Sequence, residues 1–305
     1  AIEPFISGVY AGDPKRLSIR AAIPRIYALE EKHGSLIRGA IAMGRVRKGM
    51  GLPKGRMISF QQGMGELPAG IVKQLPEGSV RSGCRVVGLT RLESGWQVAW
   101  QQSGESGHHQ AEHLIMALPA SAAAGLIRPM SEQAADLLED ISYAPIATLA
   151  VGHTQKQVGH PLNGFGFLIP RREKIRLLGG LFSSTLFKDR APEGRTLITA
   201  FMGGTMDQGF EDLSDDAVLG QMLLDLSQTL KIDGEADFAH LTRYERAIPQ
   251  YVMGHGQRLA KLDQTLDEAC PGLIHRANWS GGVSVADCVL NAERCAQSLA
   301  QHIAL

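Results

Sequence analysis

The stretch that most constrains this chain is its last, Gly272 to Leu305, where an apolar strand passes through a polar turn and a glycine pair into a helix. Leu273 and Ile274 supply the strand, Asn278-Trp279-Ser280 the turn, and Gly281-Gly282 the entry to a helix opening at Val283-Ser284-Val285. Val285, Val289, Ala292, Ala296, Leu299 and Ile303 recur at spacings of three and four, which predicts one buried stripe. The helix starts with its backbone N–H groups unpaired and the positive end of its dipole toward the glycines. Such an end suits an anionic or electron-rich group, and paired glycines let a flat ligand or a phosphate approach the backbone. The same residues equally describe an ordinary glycine turn before a C-terminal helix.

The rest of the chain must supply that unit with a core. Its 305 residues suffice for about two domains, and 44% hydrophobic with 20% charged residues and 35 glycines describes an α/β or α+β protein rich in turns. No apolar run approaches the roughly 20 residues of a membrane-spanning helix. Cys84, Cys270, Cys288 and Cys295 show no C-x-x-C spacing, so no zinc site or disulfide framework is indicated, and a reducing cytoplasmic setting fits best. Zero net charge conceals an asymmetry. Residues 1–56 carry eleven Lys and Arg against four acids, leaving +7 there. A basic helical segment suits an anionic membrane surface or an acidic ligand, and equally a solvated helical face, whereas no nucleic-acid-binding motif accompanies it.

Local signals order the elements. Asp13-Pro14 predicts a helix start, Pro24 a restart, Gly34 a helix end and Ser35 the cap of a third piece from Leu36 to about Val46. Gly49–Gly55 reads as a linker, Arg56–Phe60 as a short strand and Glu66–Leu75 as a helix. Cys84–Leu92, Trp96–Gln101 and His113–Ala117 read as a three-stranded meander, with His108 and His109 in an exposed hairpin tip rather than a metal site. Strands followed by single helices between Ala147 and Ala269 predict a mixed sheet with helices on its faces. The opening Ala1-Ile2-Glu3-Pro4-Phe5, with no initiating Met, reads as the interior of an element, and the chain is expected to be a fragment. No nucleophile elbow, P-loop, paired-carboxylate pattern or HExxH occurs, which points to a cofactor that carries the chemistry, or to no chemistry.

Four stretches together resemble the protoporphyrinogen oxidase family: EPFISGVYAGDPKRLSIRAAIPRIYALEEKHGSLIRG (3–39), GFGFLIPRREKIRLLGGLFSSTLF (164–187), AIPQYVMGH (247–255) and GGVSVADCVLNA (281–292). The last is shared more widely by the amine-oxidase-like FAD proteins. One family feature is missing, the strand, G-x-G-x-x-G turn and helix that hold the pyrophosphate. Gly63-Met64-Gly65 runs on into Glu66-Leu67 and is not that turn. The resemblance therefore implies an α/β fold whose FAD-binding, Rossmann-like domain lacks its N-terminal dinucleotide turn, with a mixed-sheet substrate domain and a small helical domain. The implied parts are a helical, membrane-associated domain (1–54), FAD-domain parts (55–125 and 271–305) and a substrate-binding domain (126–270).

The resemblance also assigns residues. Val86 matches a backbone contact to the adenine, and Gly282, Val283, Ser284 and Val285 match the segment against the isoalloxazine. Tyr244 falls where relatives often carry Trp beside the flavin. Phe5, Gly8, Phe165, Gly166 and Leu168 match walls of a tetrapyrrole pocket. The implied activity is oxygen-dependent, six-electron oxidation of protoporphyrinogen IX to protoporphyrin IX in haem biosynthesis. A hydride leaves a meso carbon for flavin N5 and oxygen reoxidises the flavin, three times over, with no side chain nominated as acid or base. The partners implied are the porphyrinogen, molecular oxygen and the inner face of a membrane in peripheral contact, with room for a homodimer and no nucleic acid. Competing readings are a coproporphyrinogen III oxidase, another amine-oxidase-like flavoprotein such as an amine oxidase or carotenoid desaturase, and a non-catalytic porphyrin-binding fragment.

Overall fold

The computed structural model describes residues 2–49 and 58–303. The elements begin with α1 (Ile2–Tyr10), α2 (Ile19–Ala22), α3 (Pro24–His33), α4 (Leu36–Gly49) and α5 (Glu66–Val72). Strands β1 (Arg85–Arg91), β2 (Trp96–Gln102), β3 (Glu105–Ala111) and β4 (Leu114–Met116) follow, then α6 (Ala120–Ile127) and α7 (Glu132–Glu139). Next come β5 (Tyr143–Thr154), β6 (Gly166–Leu168), β7 (Leu177–Leu181), α8 (Ser183–Leu186) and β8 (Arg195–Gly203). The chain closes with α9 (Asp215–Leu230), β9 (Phe238–Pro249), α10 (His255–Ala269), β10 (Leu273–His275) and α11 (Val285–Ile303). By contact it divides into two compact units, one of residues 1–17 with 143–250, the other of 18–142 with 251–305.

The first unit is a five-stranded sheet in the order β6-β7-β8-β5-β9. It was expected to be mixed, yet every neighbouring pair is antiparallel. The reason is the position of the crossover. Helix α9 carries the chain from β8 to a parallel β9, but β5 lies between them and runs against both. Along β8, Thr196, Ile198, Ala200 and Met202 are buried while Leu197, Thr199 and Phe201 are only half covered, the period of two that a sheet with one dry face requires. The dry face packs under α9 through Val218, Met222 and Leu226 with Leu149, Val151 and Ile198. Helix α1 packs on β6 and β7 and so joins the sheet, not the helices that follow it in sequence. Gly8 permits this, because a Cβ there would collide with the Leu168 side chain.

The helix expected at Asp13 starts later, where the second unit begins. Asp13 spends its carboxylate on the N–H of Lys15 at 2.9 Å, closing a turn, and α2 begins after Ser18, whose hydroxyl accepts the N–H of Ala21 at 3.3 Å. Pro24 opens α3 and Gly34 ends it in the left-handed conformation (φ 66°), as their chemistry demands. The linker expected at Gly49–Gly55 lies outside the described residues from position 50, and residues 58–60 form no strand. The meander is β1-β2-β3, not the set expected. Ser103 and Gly104 both take positive φ (48° and 89°), forming a two-residue hairpin turn that places His108 and His109 within β3, opposite Ala99 and Val98. The run at 113–117, expected as the third meander strand, contributes β4, which pairs in parallel with β10. The stripe of α11 was expected to be buried, but Val285 and Val289 are 54% and 52% exposed. A helix of about 28 Å outruns strands of about 10 Å, and β4 and β10 cannot cover it.

Candidate functional site

Two places carry the residues singled out by sequence, one in each unit. In the helical unit, Gly281 and Gly282 adopt φ of 136° and 137° ahead of α11. A Cβ on Gly281 would stand 2.6 Å from the Asn291 amide, and one on Gly282 would strike Asp287. Ser284 caps the helix, accepting the N–H of Asp287 at 3.1 Å while donating to its carboxylate at 2.6 Å. Asn291 donates to the Gly281 carbonyl at 2.9 Å, and the Cys288 thiol points to that of Gly282 at 3.7 Å. Burial, and after it Asp287, pushes the Cys288 thiol up, so it remains a weak donor rather than a thiolate.

The turn is fastened from the segment leading into α10 and from its first residue. The Gly282 N–H donates to the Tyr251 hydroxyl at 3.0 Å, and that hydroxyl donates to the Asn278 carbonyl at 2.5 Å. Tyr251 stacks on His255 at 4.3 Å, His255 meets the Trp279 carbonyl through Nε2 at 2.9 Å, and Trp279 donates to the Leu118 carbonyl at 2.9 Å. Trp279 in turn stacks on His275, which bonds Asp263 at 2.6 Å. Burial pulls the His255 imidazole below its ordinary pKa, with Arg258 adding to this and the Trp279 carbonyl opposing it. It is therefore neutral, with the proton on Nε2, and its buried Nδ1 has no partner among the described residues. Among the described residues the N–H groups of Val283, Val285 and Ala286 take no hydrogen bond, since capping occupies only that of Asp287, and a helix start of this kind can receive an anionic or electron-rich group. Val86 stands on β1 beside a bulge that leaves Val87 without an opposite residue, baring backbone there.

In the sheet unit, Phe5, Gly8, Phe165, Gly166 and Leu168 converge on one cavity of about 640 Å³. Val9, Phe167, Gly179, Gly180, Leu181 and Phe201 complete its lining, all apolar or glycine. Phe5, Phe165 and Leu168 are 43%, 55% and 44% exposed, so the walls are apolar side chains facing open space. The Phe167 ring lies over Gly180, where a Cβ would come within 3.0 Å of it. A second cavity of about 460 Å³ adjoins, sharing Gly8, Val9 and Phe201. Tyr244 lines this second one, opposite Ile146 on β5. It thus belongs to the sheet unit, while Gly282–Val285 and Val86 belong to the other. Among the described residues no three His, Cys, Asp or Glu side chains gather as a metal site.

The pattern of one known family, described as flavin containing amine oxidoreductase, matches residues 1–300. The chain belongs to the flavin-containing amine oxidoreductases. Protoporphyrinogen oxidase 1 from the chloroplast of Arabidopsis thaliana is 32% identical over 311 residues, 95% of this chain and 58% of that protein. Coproporphyrinogen III oxidase of Bacillus subtilis is 31% identical over 291 residues, 94% of this chain and 61% of its own. The chain spans about three fifths of the length of the curated relatives it matches. A crystal structure named as a candidate protoporphyrinogen oxidase from Exiguobacterium sp. 255-15 superposes with a TM-score of 0.80 at 23% identity, over 98% of this chain and 62% of that one. Reduced UDP-galactopyranose mutase follows at 0.59 and 13%, over 91% and 58%. These two share the fold.

The cofactor of this flavin-containing family is FAD, and the residues present fit its ring end. Glycines at positions a Cβ would obstruct, the half-exposed Val285 and the open N–H groups of the first turn of α11 form an accessible edge with a partial positive charge. Sequence reasoning missed Tyr251, His255 and Asn291, which hold that turn. Tyr251 and His255 lie inside the stretch AIPQYVMGH, but nothing local marks their bond to a glycine 31 residues away.

Proposed function

We propose that this chain is the substrate-pocket and flavin-ring portion of a porphyrinogen oxidase, working with FAD and oxygen to turn protoporphyrinogen IX into protoporphyrin IX. One observation carries the reading. Two stretches more than 150 residues apart in sequence, at Phe5 and Phe165, meet as walls of a cavity that is entirely apolar and of ligand size. The ring of a porphyrinogen is broad and largely apolar, with its carboxylates on the rim, and the walls that face the ring must be apolar too. The relatives named for protoporphyrinogen and coproporphyrinogen oxidation support the reaction class.

Bound FAD supplies hydride acceptance and the reaction with oxygen. The residues of this chain bind, orient and keep out water. Phe5, Phe165 and Leu168 hold the macrocycle by its faces, and Gly8, Gly166 and Gly180 let it lie close to backbone. The N–H groups at Val283, Val285 and Ala286 would favour negative charge on a flavin held there. No side chain is given an acid or base role, and the buried His255 is neutral and committed to Trp279. The test is aerobic turnover of the FAD-loaded protein on protoporphyrinogen and coproporphyrinogen, followed by porphyrin fluorescence. Conversion at the rate of protein-free autoxidation for both contradicts the proposal, and a clear preference for coproporphyrinogen moves it to the reaction of the Bacillus relative.

A peripheral membrane contact from a cytoplasmic position belongs to the same proposal. Helix α4 turns Ile37 and Ile41 outward at 73% and 53% exposure beside Arg38, a basic and apolar surface suited to anionic lipid. Among the described residues no helix is long and apolar enough to cross a membrane.

A further inference from the structure

We propose that Arg246 is the carboxylate anchor of the two adjoining cavities and that, as the one charged wall residue among the described residues, it selects a tetrapyrrole with few acidic arms. This rests on the porphyrinogen reading above. The two adjoining cavities share Gly8, Val9 and Phe201 and are lined mostly by apolar side chains and glycine. Across both linings the one charged side chain among the described residues is Arg246, in the smaller cavity with Tyr244, Ile146, Thr148 and Leu178. Strand β9 alternates its faces, so Tyr244 and Arg246 share this wall while Glu245 between them is not part of it.

Three other arginines of this unit show what Arg246 lacks. Arg243, on the same strand, is tied to Asp215 at 3.1 Å and to the Phe210 and Leu213 carbonyls, while Arg176 grips Asp207 at 2.8 Å and Arg171 donates to the Gly203 carbonyl. Arg246 has no hydrogen bond or ion pair among the described residues, and it is exposed at the edge of a low-dielectric wall. A guanidinium there presents a planar fork of donors that matches a carboxylate in bidentate fashion, and no acceptor among the described residues competes for it. A flat apolar body with a carboxylate arm satisfies both the wall and the fork. Four carboxylates spread around a macrocycle would bring at least two into contact with apolar walls that offer them no partner, whereas two adjacent arms can sit together at the Arg246 edge.

The test is a fluorescence titration of the 305-residue chain with protoporphyrin IX, its dimethyl ester and coproporphyrin III. The wild type should bind the diacid about tenfold more tightly than the diester. Arg246→Ala should weaken the diacid to the level of the diester and leave the diester unchanged, and Arg246→Lys should recover part of the loss. Equal wild-type affinity for diacid and diester overturns the anchor, as does an Arg246→Ala variant that weakens both alike. Tighter binding of coproporphyrin III than of protoporphyrin overturns the selection by arm number. If the wild type binds none of the three, the cavity reading itself falls, and the anchor with it.

Discussion

The hydroxyl of Tyr251 accepts the backbone N–H of Gly282 at 3.0 Å. Tyr251 is 3% exposed, so that bond is made away from water, and the same hydroxyl donates to the Asn278 carbonyl. The glycine turn at the head of α11 is therefore set by a side chain on the segment leading into α10. Tyr251→Phe keeps the ring on His255 but strands the glycine N–H, which should cost about 1–3 kcal/mol. All three tryptophans, Trp96, Trp100 and Trp279, lie in this unit, so urea unfolding followed by Trp fluorescence reads the loss directly. FAD affinity should drop by about tenfold with it. A variant with unchanged midpoint and unchanged FAD affinity would sink the positioning role.

Gly8 sets the distance of α1 from β6. Gly8→Val places a branched side chain into Leu168, displaces the helix and narrows the cavity that both residues line. Porphyrin affinity should fall by about tenfold or more, the scale of an overpacked contact. Gly220→Ala on α9, where an added Cβ meets nothing within 4 Å, should leave it unchanged. Equal affinity in the two variants would mean that porphyrin binds elsewhere.

Acid should weaken the helical unit through His255. Burial holds its folded-state pKa below the ordinary value near 6.5, so above about pH 6.5 both states are neutral and its stabilisation is complete. As the pH falls below that, the unfolded chain takes up the proton first and stability is lost until the folded pKa is passed. The urea midpoint read by Trp fluorescence should drop between about pH 7 and 5, and His255→Gln should flatten part of that slope. A midpoint that rises on acidification would contradict the assignment. His153, in the sheet unit, carries the same sign, with burial lowering its pKa against Asp237 and the Glu235 carbonyl.

Helix α4 offers a test of the membrane proposal. Ile37→Ser with Ile41→Ser should reduce co-sedimentation with vesicles containing anionic lipid by several-fold, since each removes exposed apolar area from the contact. Binding that survives this change but is lost in high salt would assign the contact to charge alone.

What the sequence made legible was mostly backbone chemistry acting over a few residues. Pro24 and Gly34 bound α3 because a fixed φ and a left-handed cap need no distant partner. Asp13 misled because an Asp before a turn and an Asp before a helix look alike until the next N–H is placed. Strand β3 was hidden because Ser106, His108 and His109 give it no apolar face, and its register depends on β2. The pairing of Leu114 with Leu273 joins residues far apart in the chain, which no local pattern encodes. The cavity was legible only through resemblance. No spacing connects Phe5 to Phe165, and the charge of Arg246 acquires meaning only once its neighbours are seen to be apolar.

The most direct test is an anaerobic mixing experiment. The chain is loaded with FAD, freed of excess flavin and mixed with protoporphyrinogen in the absence of oxygen, and the visible flavin band is followed beside the porphyrin Soret band. The flavin band should bleach without oxygen, each flavin taking two of the six electrons, and on admission of air it should recover while the Soret band grows. A flavin that stays bound and coloured while the porphyrinogen remains unoxidised would contradict the account.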